Sequence, residues 1–179
     1  MKQKTCKVCK VKFIPTQFAQ VACNYKCAII HAKDLKKKKS VSVWKKEKSA
    51  LKESLLTKKD YLNILQKVFN TYIRQRDKGR PCVSCDKPYK EFDINASHYF
   101  SVGSSPSLRF NEDNVHASCI KCNKELHGNI AEYTIRLPKK IGVERFEKLK
   151  QDRNATLKLS IEDVKDLIKK YRELTKKLK

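Results

Sequence analysis

Long apolar runs are missing from this 179-residue chain. None approaches the roughly 20 residues that a membrane-spanning helix needs, so no spanning role is expected. An anionic membrane surface is the weaker reading of its charge. The first ten residues, MKQKTCKVCK, hold no apolar stretch either, so no secretory signal is expected. Tryptophan occurs once, at Trp44, and apolar residues make up only 40% of the chain. One large core is therefore not expected; several small stapled modules joined by charged helices fit better. Acids are scarce as well: 19 Asp and Glu stand against 42 Lys and Arg, for a net charge of +23. A surplus of that size points to a polyanionic partner, with nucleic acid the first candidate.

Cysteine, by contrast, is patterned. The eight fall in four pairs: Cys6/Cys9, Cys23/Cys27, Cys82/Cys85 and Cys119/Cys122. With no secretory signal, a reducing, cytoplasmic compartment is expected, and paired knuckles there bind zinc rather than form disulfides. The first four cysteines predict one tetrahedral Cys₄ Zn²⁺ site and the last four a second. Each such site carries about −2, which leaves the protein strongly basic.

Four segments follow in order. Residues 1–32 are an N-terminal Cys₄ module, a short hairpin and helix over a slight core of Val8, Phe13, Phe18, Val21 and Tyr25. Residues 33–56 are a lysine-rich helical spacer or solvated linker, and Lys36, Lys37, Lys38, Lys39, Lys45 and Lys46 are its candidate phosphate contacts. Residues 57–135 hold a helix capped by Thr57-x-x-Asp60, with Tyr61, Leu62, Leu65, Val68, Phe69, Tyr72 and Ile73 on one face, and then the second cysteine cluster. Residues 136–179 are helical: a short helix over about 143–150, then one capped by Ser160 with an apolar face from Ile161 to Leu178. The fold class expected is α+β, small zinc-stapled modules joined and flanked by amphipathic helices.

The central stretch carries the chemistry. Hydrolysing a phosphodiester takes a base to activate water and a cation to stabilise charge on the phosphate. His suits the first near neutral pH, and Mg²⁺ on one or two oxygen ligands suits the second. His98 on a hairpin, facing Asn123 in the first turn of a helix, would supply both, with the second zinc as a frame beneath them.

The segments IRQRDKGRPCVSC, ASHY, LRFNEDNVHASCIKCN and the Gly128-Asn129 pair resemble the HNH, or ββα-metal, endonucleases of the four-cysteine zinc subgroup. They are more similar still to the lambdoid phage NinG family, also called Rap, a resemblance that covers nearly the whole chain. It implies a treble-clef ββα-metal core and a Mg²⁺- or Mn²⁺-dependent endonuclease. Its substrates would be branched DNA, such as D-loops and Holliday junctions, in phage or prophage recombination in the cytoplasm of a bacterial host. By resemblance His98 is the general base, Asn114 braces the hairpin loop, Asn123 is a metal ligand and His127 matches the final His of the wider pattern. Asn95 stands where some relatives have an acid, as a second Mg²⁺ ligand. Two cuts per junction would suit a homodimer, with the helix over 58–77 and the C-terminal helix as candidate interfaces. His116 rivals His127 for a site role, and Arg109 either contacts the phosphate or pairs with Glu112 or Asp113. The alternative function is a non-catalytic, zinc-dependent DNA-binding recombination adaptor, and an RNA-binding zinc protein is a third.

Overall fold

The computed structural model describes residues 2–88 and 93–178. They form two compact units, 1–56 and 57–179. The architecture is α+β, helices with two small antiparallel two-stranded sheets.

In the first unit β1 (Lys4–Thr5) pairs with β2 (Lys12–Phe13). Asn24 then caps α1 (Tyr25–Ser54), its side chain accepting from Cys27 N–H at 2.9 Å. This satisfies one of the free donors of a helix start. The helix runs unbroken for 30 residues, about 45 Å at 1.5 Å per residue. It thus passes straight through residue 33, where composition suggested a change from module to spacer. The module's core is smaller than expected: Cys6, Ala22 and Cys27 are buried, with Val8, Phe13 and Cys23 packed against them. Phe18 and Tyr25 lie outside it, 92% and 79% exposed. Four sulfurs already fill the centre of so small a unit, and no interior remains for two more rings.

The second unit starts at a capping box. Thr57 and Asp60 satisfy one another's backbone N–H groups at the head of α2 (Lys58–Arg76). Its stripe of Tyr61, Leu65, Phe69, Tyr72 and Ile73 is buried. A second box, Ser160 with Asp163, opens α5 (Ile161–Lys177), which buries Val164, Ile168 and Tyr171. These two helices pack on each other, with Tyr171 edge-on to Phe69 at 4.9 Å and beside Tyr72 at 5.1 Å. The two faces considered for a dimer therefore cover each other within one chain. Burying each such side chain is worth about 1.5–3 kcal/mol.

Between them, β3 (Ile94–His98) pairs antiparallel with β4 (Val115–Cys119), with His98 opposite Val115 and Ile94 opposite Cys119. After β4 comes one turn of π-helix, Lys121–Glu125, closed by Leu126 N–H to Lys121 O at 3.0 Å. His127, Gly128 and Asn129 then take positive φ. This is the run where glycine matters: at Gly128 (φ +95°) a Cβ would sit 3.1 Å from the Ile130 side chain. The run redirects the chain into α3 (Ile130–Ile141), followed by α4 (Val143–Gln151). Helix α3 contains Pro138, ahead of the short helix expected over 143–150. Tyr133, Leu137 and Ile141 recur four apart and are buried with Phe146 and Leu149. That burial outweighs the hydrogen bond lost at Pro138. Among the described residues, no helix is long and apolar enough to cross a membrane.

Candidate metal centres and active site

Each cysteine cluster brings four Sγ atoms within 4.8 Å of one another. A tetrahedral Zn²⁺ with Zn–S bonds of about 2.3 Å would set its sulfurs about 3.8 Å apart. Sγ separations are 3.4 Å for Cys9–Cys23 and 3.8 Å for both Cys23–Cys27 and Cys85–Cys119. All eight cysteines are free thiols rather than disulfides. Backbone amides aim at the sulfurs: Cys119 N–H at Cys82 Sγ (3.3 Å), Cys122 N–H at Cys119 Sγ (3.4 Å) and Cys23 N–H at Cys6 Sγ (3.4 Å). Burial raises the Cys82 thiol, but the N–H groups of Cys119, Cys85 and Ser84 together with Ser118 prevail and bring it down to about 6, while burial pushes its neighbour Cys122 up to about 12. The donor set fits a thiolate-held zinc at both clusters, since thiolate is the ligating form.

The second cluster anchors one end of the hairpin and His98 sits at the other. Cys119 lies four residues along β4 from Val115, the partner of His98, roughly 13 Å at the usual rise. A zinc there would hold the frame without reaching the histidine's end.

His98 is half-buried, and its Nε2 lies 3.0 Å from the Arg109 carbonyl oxygen. A carbonyl only accepts, so Nε2 carries the proton and Nδ1 keeps a free lone pair. Burial lowers the histidine's pKa below 6.5; the Arg109 carbonyl opposes this and the Arg109 charge adds to it. His98 is thus neutral near pH 7. Arg109 is held by Gln66 of α2, which accepts from its Nε at 2.8 Å. Neither carboxylate considered as its partner reaches it. Glu112 accepts from Tyr72 at 2.9 Å, and Asp113 pairs with Arg145. The two terminal nitrogens of Arg109 therefore have no hydrogen-bond or ion-pair partner among the described residues, and the guanidinium lies over the Phe110 ring at 5.1 Å.

Asn114 is fully buried and ties down the loop between the strands. Its Oδ1 accepts from Phe100 N–H (2.8 Å), and its Nδ2 donates to Phe100 O (3.0 Å) and Leu108 O (3.1 Å). Leu108 adjoins Arg109, so the brace also fixes the carbonyl that holds His98.

The other expected ligands are less well gathered. Asn95 is three residues from His98 on a regular strand, so alternation turns it to the opposite face, the side of Ser97, Ser118 and His116. It cannot share with His98 a cation bound on the histidine's face. Asn123 is half-buried in the π turn, directly after Cys122, and its amide has no hydrogen bond among the described residues. No described contact joins it to His98. His127 lies beyond the π turn, exposed at φ 48°, outside the helical turn that carries Asn123. His116 is buried, with Nδ1 3.3 Å from Tyr133 Oη, and burial together with Lys140 and Arg76 pulls its pKa to about 3. It is a structural histidine.

No role at the site is predicted for Asp77, yet the fold depends on it. It is completely buried at the end of α2, paired with Arg76 (2.9 Å) and accepting from Ala117 N–H of β4 (2.9 Å). It locks the helix to the hairpin.

Comparison with known proteins settles the family. The family model described as Bacteriophage Lambda NinG protein matches residues 1–179. The chain belongs to the NinG family. It is 33% identical to protein ninG of Escherichia phage lambda over 114 residues, 64% of this chain and 55% of that protein. It is 30% identical to protein ninG of Escherichia phage 933W over 135 residues, 75% of this chain and 66% of that one. Protein ninG of Salmonella phage P22 is 31% identical over 114 residues, 64% of this chain and 55% of that protein. The chain thus spans between about half and two thirds of the length of these NinG relatives. Their names describe no activity, and no solved structure matches.

Proposed function

We propose that this NinG-family chain is a metal-dependent endonuclease of the HNH, ββα-metal type that cuts branched DNA recombination intermediates, such as D-loops or Holliday junctions. One observation carries the reading. Arg109 holds His98 through its carbonyl and presents, from the same residue, a guanidinium that no described carboxylate neutralises. Base and phosphate contact are thereby fixed relative to each other. Nδ1 of His98 takes a proton from water as it attacks phosphorus in line, and the Arg109 guanidinium binds a phosphate oxygen. Gln66 sets the guanidinium and Asn114 sets the loop. Asn123 offers the amide oxygen that suits a hard cation. A Mg²⁺ or Mn²⁺ ion, when bound, supplies charge stabilisation at the phosphate and the leaving oxygen. The zinc clusters are structural, and the lysines of α1 (Lys36, Lys37, Lys38, Lys39, Lys45 and Lys46) bind duplex arms through their phosphates.

One observation favours a second reading, a non-catalytic DNA-binding adaptor: the candidate cation ligand is an amide, and Asn95 faces away. A cleavage assay on junction, D-loop and linear DNA separates the two. The nuclease reading expects Mg²⁺-dependent cutting by the wild type and none by His98→Ala. Binding without cutting under Mg²⁺ and Mn²⁺ establishes the adaptor instead.

A further inference from the structure

Trp44 is the chain's only tryptophan, and it is 57% exposed in the middle of α1. Nothing buries it: Cys27 is the only buried residue of that helix. Its one described neighbour is Lys48, whose ammonium stands 4.7 Å from the ring centre. A large amphipathic ring left in water on a helix without a core is free to meet an external partner.

The charge around the ring selects that partner. Helix α1 has ten lysines and three acids. By helical periodicity Lys37 (i−7), Val41 (i−3), Glu47 (i+3), Lys48 (i+4) and Leu51 (i+7) share the face of Trp44, and Lys45 adjoins it, so the cations outnumber the one acid. A second copy of the same helix would bring lysines against lysines. A polyanion is attracted to the same face. Phosphates on both sides of an exposed indole place nucleotide bases within its reach, and a base stacks on indole only where its own face is free. Inside a duplex each face is covered by the next base pair; at a gap, flap or branch point it is not.

We propose that Trp44 is a base-stacking contact of α1 for DNA with unpaired bases, flanked by lysines that hold the strand. This rests on the reading of the chain as a DNA-acting protein. It adds a residue that discriminates open from continuous DNA, independent of His98.

Because Trp44 is the sole tryptophan, intrinsic emission reports on this position alone. The full-length zinc-loaded protein, carrying His98→Ala to prevent cutting, is titrated with a single-stranded oligonucleotide, a gapped duplex and a continuous duplex of equal length. Emission is expected to be quenched by the first two and little changed by the third. Adding Trp44→Ala should weaken binding to gapped and single-stranded DNA about tenfold, from the usual range of base–aromatic stacking. Continuous duplex affinity should stay within about twofold, and Trp44→Phe should restore most of the loss. Helicity and zinc content of the variants establish folding. Unchanged emission at saturating gapped DNA, or equal weakening on all three DNAs, overturns the proposal while leaving a DNA-binding protein. Emission that shifts with protein concentration in the absence of DNA overturns it in favour of self-association. A wild type that binds none of the three removes the DNA reading itself.

Discussion

His98 Nε2 lies 3.0 Å from the main-chain oxygen of Arg109, eleven residues away across the loop that joins the two strands of the hairpin. Because the acceptor is a backbone atom, no substitution at position 109 removes it directly. The histidine's tautomer is therefore a property of the loop's path rather than of any one side chain. Arg109→Ala and His98→Ala should then fail differently. Loss of the base should lower the cleavage rate by about 10²–10⁴-fold. Loss of the guanidinium should chiefly weaken DNA binding and reduce its salt dependence by about one phosphate contact. Single-turnover kinetics and binding at several salt concentrations separate the two. Identical behaviour of both variants would count against the division of roles.

The pH dependence of cleavage should carry His98's signature. Burial holds its pKa below 6.5, and the neutral form is the base. The rate should therefore persist as pH falls to 6.5 and drop only as pH passes through the lowered value. A profile whose acid limb lies above 6.5 contradicts this.

Asn114 should be more sensitive than its distance from the water suggests. Asn114→Ala removes three hydrogen bonds from a buried position and leaves the Phe100 groups and Leu108 O without their partner, a cost of about 1–3 kcal/mol for each group that stays buried. Cleavage should fall with His98 chemically intact, while bound zinc is unchanged. Metal analysis alongside activity checks this, and loss of zinc would mean that the loop brace also supports the cysteine frame.

Asp77 should matter for stability alone. Its burial would raise its pKa, but Arg76, Lys140 and Ala117 N–H prevail and leave it lowered. Its contribution is thus complete above the ordinary carboxylate value and is lost as pH falls through the lowered one. Asp77→Ala leaves the buried Ala117 N–H without its acceptor and Arg76 with only its Glu112 and Val115 contacts, and should cost about 1–3 kcal/mol. Denaturant unfolding should show this near pH 7, with the gap between variant and wild type closing in acid.

Metal analysis should find about two Zn²⁺ per chain, as expected for two Cys₄ sites. A chelator should unfold the N-terminal unit, whose buried residues among those described are Cys6, Pro15, Ala22 and Cys27, at lower concentration than the second unit with its packed α2 and α5. Loss of near-UV signal from Tyr25 and Trp44 would be too indirect; hydrogen exchange resolved along the chain is the deciding measurement. Equal protection with and without metal would remove zinc from the account of folding.

Much of the frame was legible because it rests on local, residue-specific signals. Thr57 with Asp60 and Ser160 with Asp163 announce helix starts, the stripes of α2 and α5 announce faces, and the cysteine spacing announces the clusters. Fold-level pairing was not legible: each stripe needs a partner, and nothing local says that α2 and α5 are partners of one another. Helix α3 was hidden by Pro138, whose local rule lost to the burial of Tyr133, Leu137 and Ile141. At the site, the tie of His98 to a carbonyl left no trace in the sequence, since any residue supplies one. The single π turn after Cys119 was equally silent, and with it the place of His127.

The hairpin's strands are separated by 16 residues, 99–114. Closing so long a loop costs about 2 kcal/mol more entropy than closing a two-residue turn. Strand pairing incurs that cost before its own contacts offset it, and it closes on Cys119, the last residue of β4. A chain emerging from the ribosome has α2 complete long before Cys119 and Cys122 appear. His98 thus waits, unpositioned, until Arg109, Asn114 and Val115 have all been made.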